Sequence, residues 1–261
     1  MQDAQLPLFG SRPAQSQAES ASEVISFLAL SKIRGVGLRT LRAFLERYHQ
    51  LADVWEAPDN ELTSILAGLR LPQASSIVNQ IRTRKEELLH SANSQLDAFT
   101  RRGIHIITSY DTQFPARLKE IADAPYWLFV EGNVGLLSRD DLVAIVGTRK
   151  PTEAGIRAAK KVTAIVARNG FSIVSGLAEG IDAAVHRTAL DFGAPCIAVL
   201  GTGISVVFPR TTADLRLKIV ESGGALVTEY LPYDSYQKSK IRATQQDSSC
   251  DVACCDTSRV E

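Results

Sequence analysis

The stretch LVAIVGTRKPTEAGIRAAKKVTAIVARNGFSIVSGLAEGIDAAVHRTALDFGAPCIAVLGTG, residues 142–203, decides the fold. Its short apolar runs alternate with polar, Gly-rich loops and with longer segments that have helical spacing. The predicted elements are strands at 142–146, 171–174, 196–200 and 225–228 and helices at 152–169, 182–192 and 212–222. Continuous apolar strands that alternate with helices indicate buried parallel strands with right-handed crossovers. The sequence therefore predicts an α/β fold with a doubly wound, Rossmann-like parallel sheet.

A block with helical spacing precedes this sheet. Apolar residues recur at helical intervals from Glu23 onward, and the predicted elements are helices at 24–30, 38–45, 61–66 and 73–89, strands at 104–108 and 127–130, and a helical turn at 117–121. The predicted organisation is a disordered lead-in at 1–22, an all-α domain at 23–98, a Rossmann-like domain at 99–231 and an irregular tail at 232–261.

Composition excludes several classes of protein. The chain has 261 residues, of which 45% are hydrophobic, and its 29 basic and 29 acidic residues cancel. No run reaches the ~18–20 apolar residues of a membrane helix, and the N-terminus has no secretory signal. A neutral total argues against a uniformly basic coat, but not against a local site for phosphate.

Cysteines are few and unevenly placed. Cys196 lies in an apolar run, which is typical of a small buried hydrophobe. Cys250, Cys254 and Cys255 lack the paired spacing and the His partners of a zinc site. We therefore expect no metal, and a reduced, cytoplasmic protein.

Three consecutive loops that follow predicted strands are polar and Gly-rich. They read GTRKPT, SGLAEGID and GTG, and they should meet at the carboxyl edge of the sheet, where such folds bind ligands. Helix N-termini behind glycines suit an anion such as phosphate, and Arg149, Lys150 and Arg210 add charge there. The segment 147–210 contains eight basic and four acidic residues. The alternative is that the glycines only make tight turns.

A dinucleotide cofactor is not expected. The first loop, Gly147-Thr148-Arg149, has a large cation where G-x-G-x-x-G has its second glycine. No other cofactor motif is present, and Ser175 lacks the frame of a nucleophile elbow.

Asp182 and His186 are four residues apart at the start of a predicted helix, and thus lie on one face. They are compatible with an acid–base pair. They are equally compatible with an N-cap, Asp182, beside a structural histidine, and we favour the structural role for His186 because it has no evident base partner.

Gly35-Val36-Gly37 lies between two apolar helices, as in a helix-hairpin-helix whose amides hold a phosphate. Five basic residues and one acid occupy the segment 32–47: Lys32, Arg34, Arg39, Arg42, Arg47 and Glu46. An ordinary αα-hairpin with a glycine turn explains the short motif equally well.

Four segments closely resemble the DprA/Smf family of DNA-processing proteins: IVGTRKPTEAG (145–155), IVSGLAEGIDAAVHRTAL (173–190), IAVLGTGISVVFP (197–209) and GGALVTEYLP (223–232). SYDTQFPARLKEIADAPYWLFVEGN (109–133) is similar to that family's lead-in to the sheet. The resemblance implies a helix-hairpin-helix or SAM-like domain before an extended Rossmann domain.

The resemblance also implies a function. It implies a protein that is not an enzyme, binds single-stranded DNA without sequence preference, and loads the recombinase RecA during natural transformation. A homodimer is a further implication. With the loop argument, the predicted DNA-binding residues are Gly147, Thr148, Arg149, Lys150, Ser175, Gly176, Gly180, Gly201, Gly203 and Arg210.

Three features depart from the family pattern. Glu179 stands where the family often has Arg, and Thr211-Thr212 stands where Asn is usual. After Pro232 the chain turns polar and aperiodic, which resembles a truncation or a shifted reading frame.

One alternative belongs to another class. A nucleotide-processing enzyme on a related Rossmann sheet, such as a nucleoside-monophosphate phosphoribohydrolase, would carry a P-G-G-x-G-T-x-x-E loop, and the sequence has none.

Overall fold

The structure, a computed structural model, describes residues 17–121 and 124–235. The chain forms two compact units, and we describe each by itself. The first unit extends to Ser138 and includes Glu229–Leu231, and the second comprises Arg139–Thr228 and the segment from Pro232. The domain boundaries predicted from composition stay a prediction.

The first unit begins with helices. They are α1 (Gln17–Ser31), α2 (Leu38–Tyr48), α3 (Asp59–Gly68), α4 (Ala74–Thr83) and α5 (Lys85–Arg101), with a 3-10 helix at Leu51–Trp55. The apolar periodicity of the sequence begins at Glu23, but helix α1 already begins at Gln17. The single helix predicted at 73–89 is two helices, because the backbone of Arg84 leaves the helical region (φ −116°, ψ 11°) without any Gly or Pro to signal it.

A hairpin-like pair of strands completes this unit. Strands β1 (Ile104–Thr108) and β2 (Trp127–Gly132) are antiparallel, and the short helix α6 (Ala116–Lys119) lies between them in the chain. Phe27 of α1 packs on Trp127 with ring centroids 4.1 Å apart, so the aromatic face of β2 is covered by the first helix. These aromatic side chains are part of the core of the unit, which also contains buried aliphatic residues such as Leu28, Leu41 and Leu62.

The second unit contains the predicted alternation. Its elements are β3 (Leu142–Ala144), α7 (Glu153–Arg168), β4 (Ser172–Gly176), α8 (Ile181–Asp191), β5 (Cys196–Val199), α9 (Ala213–Glu221) and β6 (Ala225–Thr228). All three strand pairings in the order β6-β5-β4-β3 are parallel. The predicted parallel sheet is confirmed.

These four strands follow one another in chain order. Right-handed crossovers that step in one direction place all connecting helices on one face, and α8 accordingly packs against both α7 and α9. The described strands thus form one half of a doubly wound sheet. Strand β3 ends the order and is shorter than predicted, although Ile145 N–H still donates to Val174 O at 2.9 Å.

Cys196 is buried within β5, as its apolar context predicts, and burial raises the pKa of its thiol to about 12. The other three cysteines lie outside the described residues. Within 17–121 and 124–235, no group of His, Cys, Asp or Glu side chains could hold a metal. No helix in those ranges is long and apolar enough to cross a membrane.

Candidate nucleic-acid interface

Three loops leave the carboxyl ends of β3, β4 and β5. The parallel register pairs Ala144 with Val174 and Gly176 with Val199, so these strand ends lie side by side. The loops that follow are 145–152, 177–180 and 200–209. The prediction that they meet at one edge of the sheet is confirmed.

The first two loops are joined by hydrogen bonds. Ser175 Oγ donates to Ile145 O at 2.6 Å, and Ile181 N–H donates to Thr148 O at 3.1 Å. Gly147 N–H donates to Asp182 Oδ1 at 3.1 Å. These bonds link the strand ends, both loops and the start of α8, so the two loops form one braced structure.

The glycines in these loops are required by packing. A Cβ on Gly147 would lie 2.7 Å from Ile181 Cβ, and one on Gly176 would lie 2.5 Å from Asp182 Oδ2. Gly180 has a φ of +86°, and its Cβ would lie 2.4 Å from Thr148 O. Close packing, and at Gly180 the positive φ, thus explain why these positions are glycine. The predicted contacts of these glycines with DNA stay a prediction.

Asp182 is at the centre of the braced loops. It is 6% exposed, and burial raises the pKa of its carboxyl. The Gly147 and Ala178 amides, the Ser175 hydroxyl and the Arg149 charge oppose that rise. The alternative in which Asp182 is the N-cap of α8 is wrong, because the N-cap is Gly180, which has a positive φ, and Asp182 lies inside the first turn.

His186 is fully buried, and its Nε2 lies 2.9 Å from Gly176 O. A carbonyl oxygen only accepts, so Nε2 carries the proton, and Nδ1 has no partner in the part of the chain that the structure describes. Burial lowers the pKa of the imidazole to about 4. A neutral, inaccessible histidine that holds the end of β4 supports the structural role favoured by the sequence.

The third loop is attached to the second. Thr212 Oγ1 donates to Leu177 O at 2.9 Å, and Thr211 Oγ1 donates to Glu179 Oε1 at 2.6 Å. Gly203 N–H donates to Asp234 O at 2.9 Å, so the amide of this predicted DNA-binding residue already has a partner within the protein. The third loop is therefore fixed by internal bonds, like the other two.

Sequence reasoning missed Arg216, which shapes this loop. The side chain is 7% exposed and donates to Val206 O at 3.1 Å and to Ile204 O. The signal was available: Thr212, Leu215, Arg216 and Ile219 have helical spacing, and all four are buried. An arginine on a buried helix face needs carbonyl partners, which an irregular loop supplies.

The predicted cations lie on the surface. Arg149, Lys150 and Arg210 are exposed, as is Thr148, whose Oγ1 accepts from Lys150 N–H at 3.2 Å. Gly201 is half-buried. Exposed cations at the rim of braced loops are suited to phosphate oxygens. That these residues bind DNA stays a prediction.

Comparisons with known proteins agree with this architecture. A family model described as DNA recombination-mediator protein A matches residues 105–243. Protein Smf of Synechocystis is 31% identical over 212 residues, which is 80% of this chain and 51% of that protein. The DNA processing protein DprA of Bacillus subtilis is 33% identical over 188 residues, covering 70% of this chain and 62% of that protein.

Among solved structures, the chain is similar to the X-ray structure of DNA processing protein A (DprA) from Streptococcus pneumoniae. The TM-score is 0.57 at 25% identity, and the match covers 84% of this chain and 72% of that chain. The α/β, Rossmann-like fold predicted from the sequence is confirmed. The chain spans about half the length of curated relatives that it matches, 51% for the Synechocystis protein and 46% for the Smf protein of Escherichia coli.

Proposed function

Because this chain belongs to the DNA recombination-mediator protein A family, we propose that it binds single-stranded DNA without sequence preference and transfers the strand to RecA during natural transformation. In this proposal it acts in the cytoplasm as a binding protein, without catalysis. Its partners are the DNA strand and the recombinase.

One observation carries the DNA-binding part of the proposal. Arg149 and Lys150 are exposed on the first loop, and Arg210 is exposed at the start of the 3-10 helix Arg210–Thr212 that follows the third loop. Internal hydrogen bonds hold these segments in place. Phosphate contacts need cations at fixed positions and carry no sequence information. Such an edge suits a sugar–phosphate backbone of any sequence.

Base stacking contributes less in this proposal. Phe208 in the third loop is 44% exposed, and Tyr233, whose neighbours Pro232 and Asp234 are hydrogen-bonded to that loop, is 70% exposed. Non-specific single-strand sites usually combine cations with several such rings. We therefore expect the affinity to depend mainly on phosphate contacts and hence strongly on salt.

The two residues considered as an acid–base pair, Asp182 and His186, are engaged within the protein. Asp182 accepts from the Gly147 amide, and His186 donates to Gly176 O from a fully buried position. A general acid or base has to be accessible to its substrate, and Asp182 and His186 are only 6% and 0% exposed. These contacts support binding without chemistry.

The test of the DNA site is an anisotropy titration of labelled oligo-dT with Arg149→Ala. We expect affinity to fall roughly tenfold at 0.1 M salt and the salt slope to fall by about 0.7, because the variant neutralises one phosphate fewer. Arg157→Ala is the matched control, because it removes the same charge from an exposed position on α7. Arg157 Nη1 lies 3.5 Å from Glu153 Oε2, so this arginine already has an acidic partner. Equal affinities for the two variants would refute the site.

Transfer to RecA is tested separately. Immobilised chain should retain RecA in a pull-down, and DNA saturated with the chain should support faster RecA filament assembly than DNA alone. If DNA binding persists while both RecA readouts are negative, only the mediator part of the proposal is wrong.

A further inference from the structure

The first unit carries a second basic surface, which the proposed function does not use. It surrounds the hairpin Gly35-Val36-Gly37 between α1 and α2. We propose that this hairpin surface, defined by Arg34, Arg39 and Arg70, binds the phosphate backbone of duplex DNA independently of the loops in the second unit.

Three of the five cations near the hairpin have structural partners. Lys32 Nζ donates to Ser91 Oγ at 2.7 Å, and Arg42 Nη2 donates to Ala124 O at 2.9 Å. Arg47 forms an ion pair with Glu61 at 2.8 Å. These side chains stabilise the unit, and we assign them no ligand.

Arg34 and Arg39 differ from the other three. Both are exposed, and neither has a side-chain partner within residues 17–121 and 124–235. They flank the hairpin on its two sides, with Val36 between them 5% exposed and turned into the core. The buried valine anchors the turn, so two charges are presented from a fixed backbone.

A third arginine comes from another loop. The side chain of Gln73 lies against Gly35, where its Nε2 is 2.2 Å from the position of a Cβ. This contact brings the connection between α3 and α4 beside the hairpin. Arg70, three residues before Gln73, is exposed in a left-handed conformation (φ 56°), without a side-chain partner among the described residues.

Acidic residues pair with other arginines of this unit. Among the described residues, none pairs with an arginine of the hairpin surface. Arg82 pairs with Asp59 at 2.7 Å, and Arg84 pairs with Glu87 at 2.7 Å. The first turn of α2 carries no acid. Glu46, eight residues beyond the start of the helix, lies about 12 Å along its axis at 1.5 Å per residue. The three arginines therefore add to one positive patch.

The chemistry of the patch favours a duplex. No aromatic residue occurs within 32–43, so the surface offers no ring on which an unpaired base could stack. Contacts limited to phosphate are the kind that a duplex, whose bases are already stacked, satisfies fully. The first unit would then hold double-stranded DNA through its backbone alone.

The experiment uses the full chain with the double variant Arg34→Ala/Arg39→Ala and a labelled 20-base-pair duplex of mixed sequence. We expect affinity at low salt to fall roughly tenfold and the salt slope to fall by about 1.8, which is 0.9 for each phosphate that the variant no longer neutralises. Adding Arg70→Ala should lower both further.

The matched control is Arg101→Ala/Arg102→Ala, which removes the same charge from exposed positions of the same unit. Arg101 lies ten residues beyond Ser91 along α5, about 15 Å from the residue that Lys32 contacts. Equal losses of affinity in the two double variants would overturn the proposal, because net charge would then explain binding.

Two further arms separate this site from the loops of the second unit. The hairpin variant should bind oligo-dT as the unchanged chain does, and Arg149→Ala should bind the duplex normally. If the hairpin variant loses oligo-dT and duplex affinity equally, the independent duplex site is refuted. Superimposable thermal melts of the hairpin and control variants verify that both fold.

Discussion

The braced loops that contain Gly147 and Gly180 and the hairpin that contains Gly35 and Gly37 are both rich in glycine, but their glycines have different surroundings. Around Gly147 and Gly180, the space that a side chain would occupy is filled by backbone and by Ile181. At Gly37 no part of the described chain beyond the two neighbouring residues occupies that space, and at Gly35 it is filled by the end of the flexible Gln73 side chain. A glycine beside a helix is therefore not by itself a sign of a ligand, and the atoms that its missing Cβ would meet decide its role.

The partners of the basic residues differ in the same way. Burial raises the pKa of the Asp182 carboxyl, and the charge of nearby Arg149 opposes that rise, whereas Arg34 and Arg39 have no acidic partner in the described chain. The polar groups of the braced loops mostly bond to one another, and only the rim of these loops presents positive charge. The hairpin offers charge directly.

The largest effect should come from Gly180→Ala. Its Cβ would lie 2.4 Å from Thr148 O and 2.8 Å from the carbonyl carbon of Arg149, both backbone atoms that cannot move aside alone. We expect the free energy of unfolding to fall by about 3 kcal/mol or more, measured by urea denaturation.

Gly170→Ala is the matched control for that substitution. Gly170 has a similar φ of +82°, but apart from its two chain neighbours no atom of the described residues lies within 4 Å of its Cβ position. It should lose only about 1 kcal/mol, the cost of the left-handed backbone. Equal losses at the two glycines would mean that the close approach of the loops contributes nothing.

The second largest effect concerns pH and His186. Its pKa is about 4 in the folded protein, below the ordinary 6.5, so the unfolded chain binds more protons between these values. Stability that is fully present above pH 6.5 is therefore lost as the pH falls towards 4, by up to about 3 kcal/mol. Urea denaturation at several pH values should show this slope in the unchanged chain.

His186→Gln removes the titrating group and keeps a donor for Gly176 O. As the pH falls from 6.5 to 4, the unchanged chain should lose unfolding free energy relative to the variant. This relative loss should occur whatever the substitution costs at neutral pH. A constant difference would contradict the buried neutral histidine.

The smallest effect should come from the hairpin in the first unit. Gly35→Ala is expected to cost about 1–2 kcal/mol, because φ is +96° and the Gln73 amide has to swing away. Combining it with Gln73→Ala should recover the steric part of that cost. Gly37→Ala, at an open site with φ −124°, should cost less than about 1 kcal/mol.

Much of the fold could be predicted from local pattern. The alternation from Leu142 to Thr228 predicts strand, helix and parallel pairing, because each apolar run and each helical period is read within a few residues. The break at Arg84 could not be predicted, since no Gly or Pro marks it. Local sequence specifies an element better than its ends.

The candidate site was less predictable because its decisive contacts join distant residues. Gly147 meets Ile181, and Ser175 bonds to Ile145, each some thirty positions away in the chain. Asp182 has the residue type of an N-cap, but the helix begins one residue earlier and its N-cap is Gly180, which has a positive φ. The exposed cations could be predicted from charge and loop position alone. The bracing that holds them could not.

The braced loops have a kinetic consequence. Since hydrogen bonds from Gly147, Ser175, Ile181 and Thr212 already order them, their conformational entropy is lost during folding and not on encounter with a ligand. Under the proposed function, a DNA strand that arrives there has no loop to reorganise. Its association rate is then limited by diffusion and by the electrostatic attraction of the rim, while the ordering cost falls on the flexible strand itself.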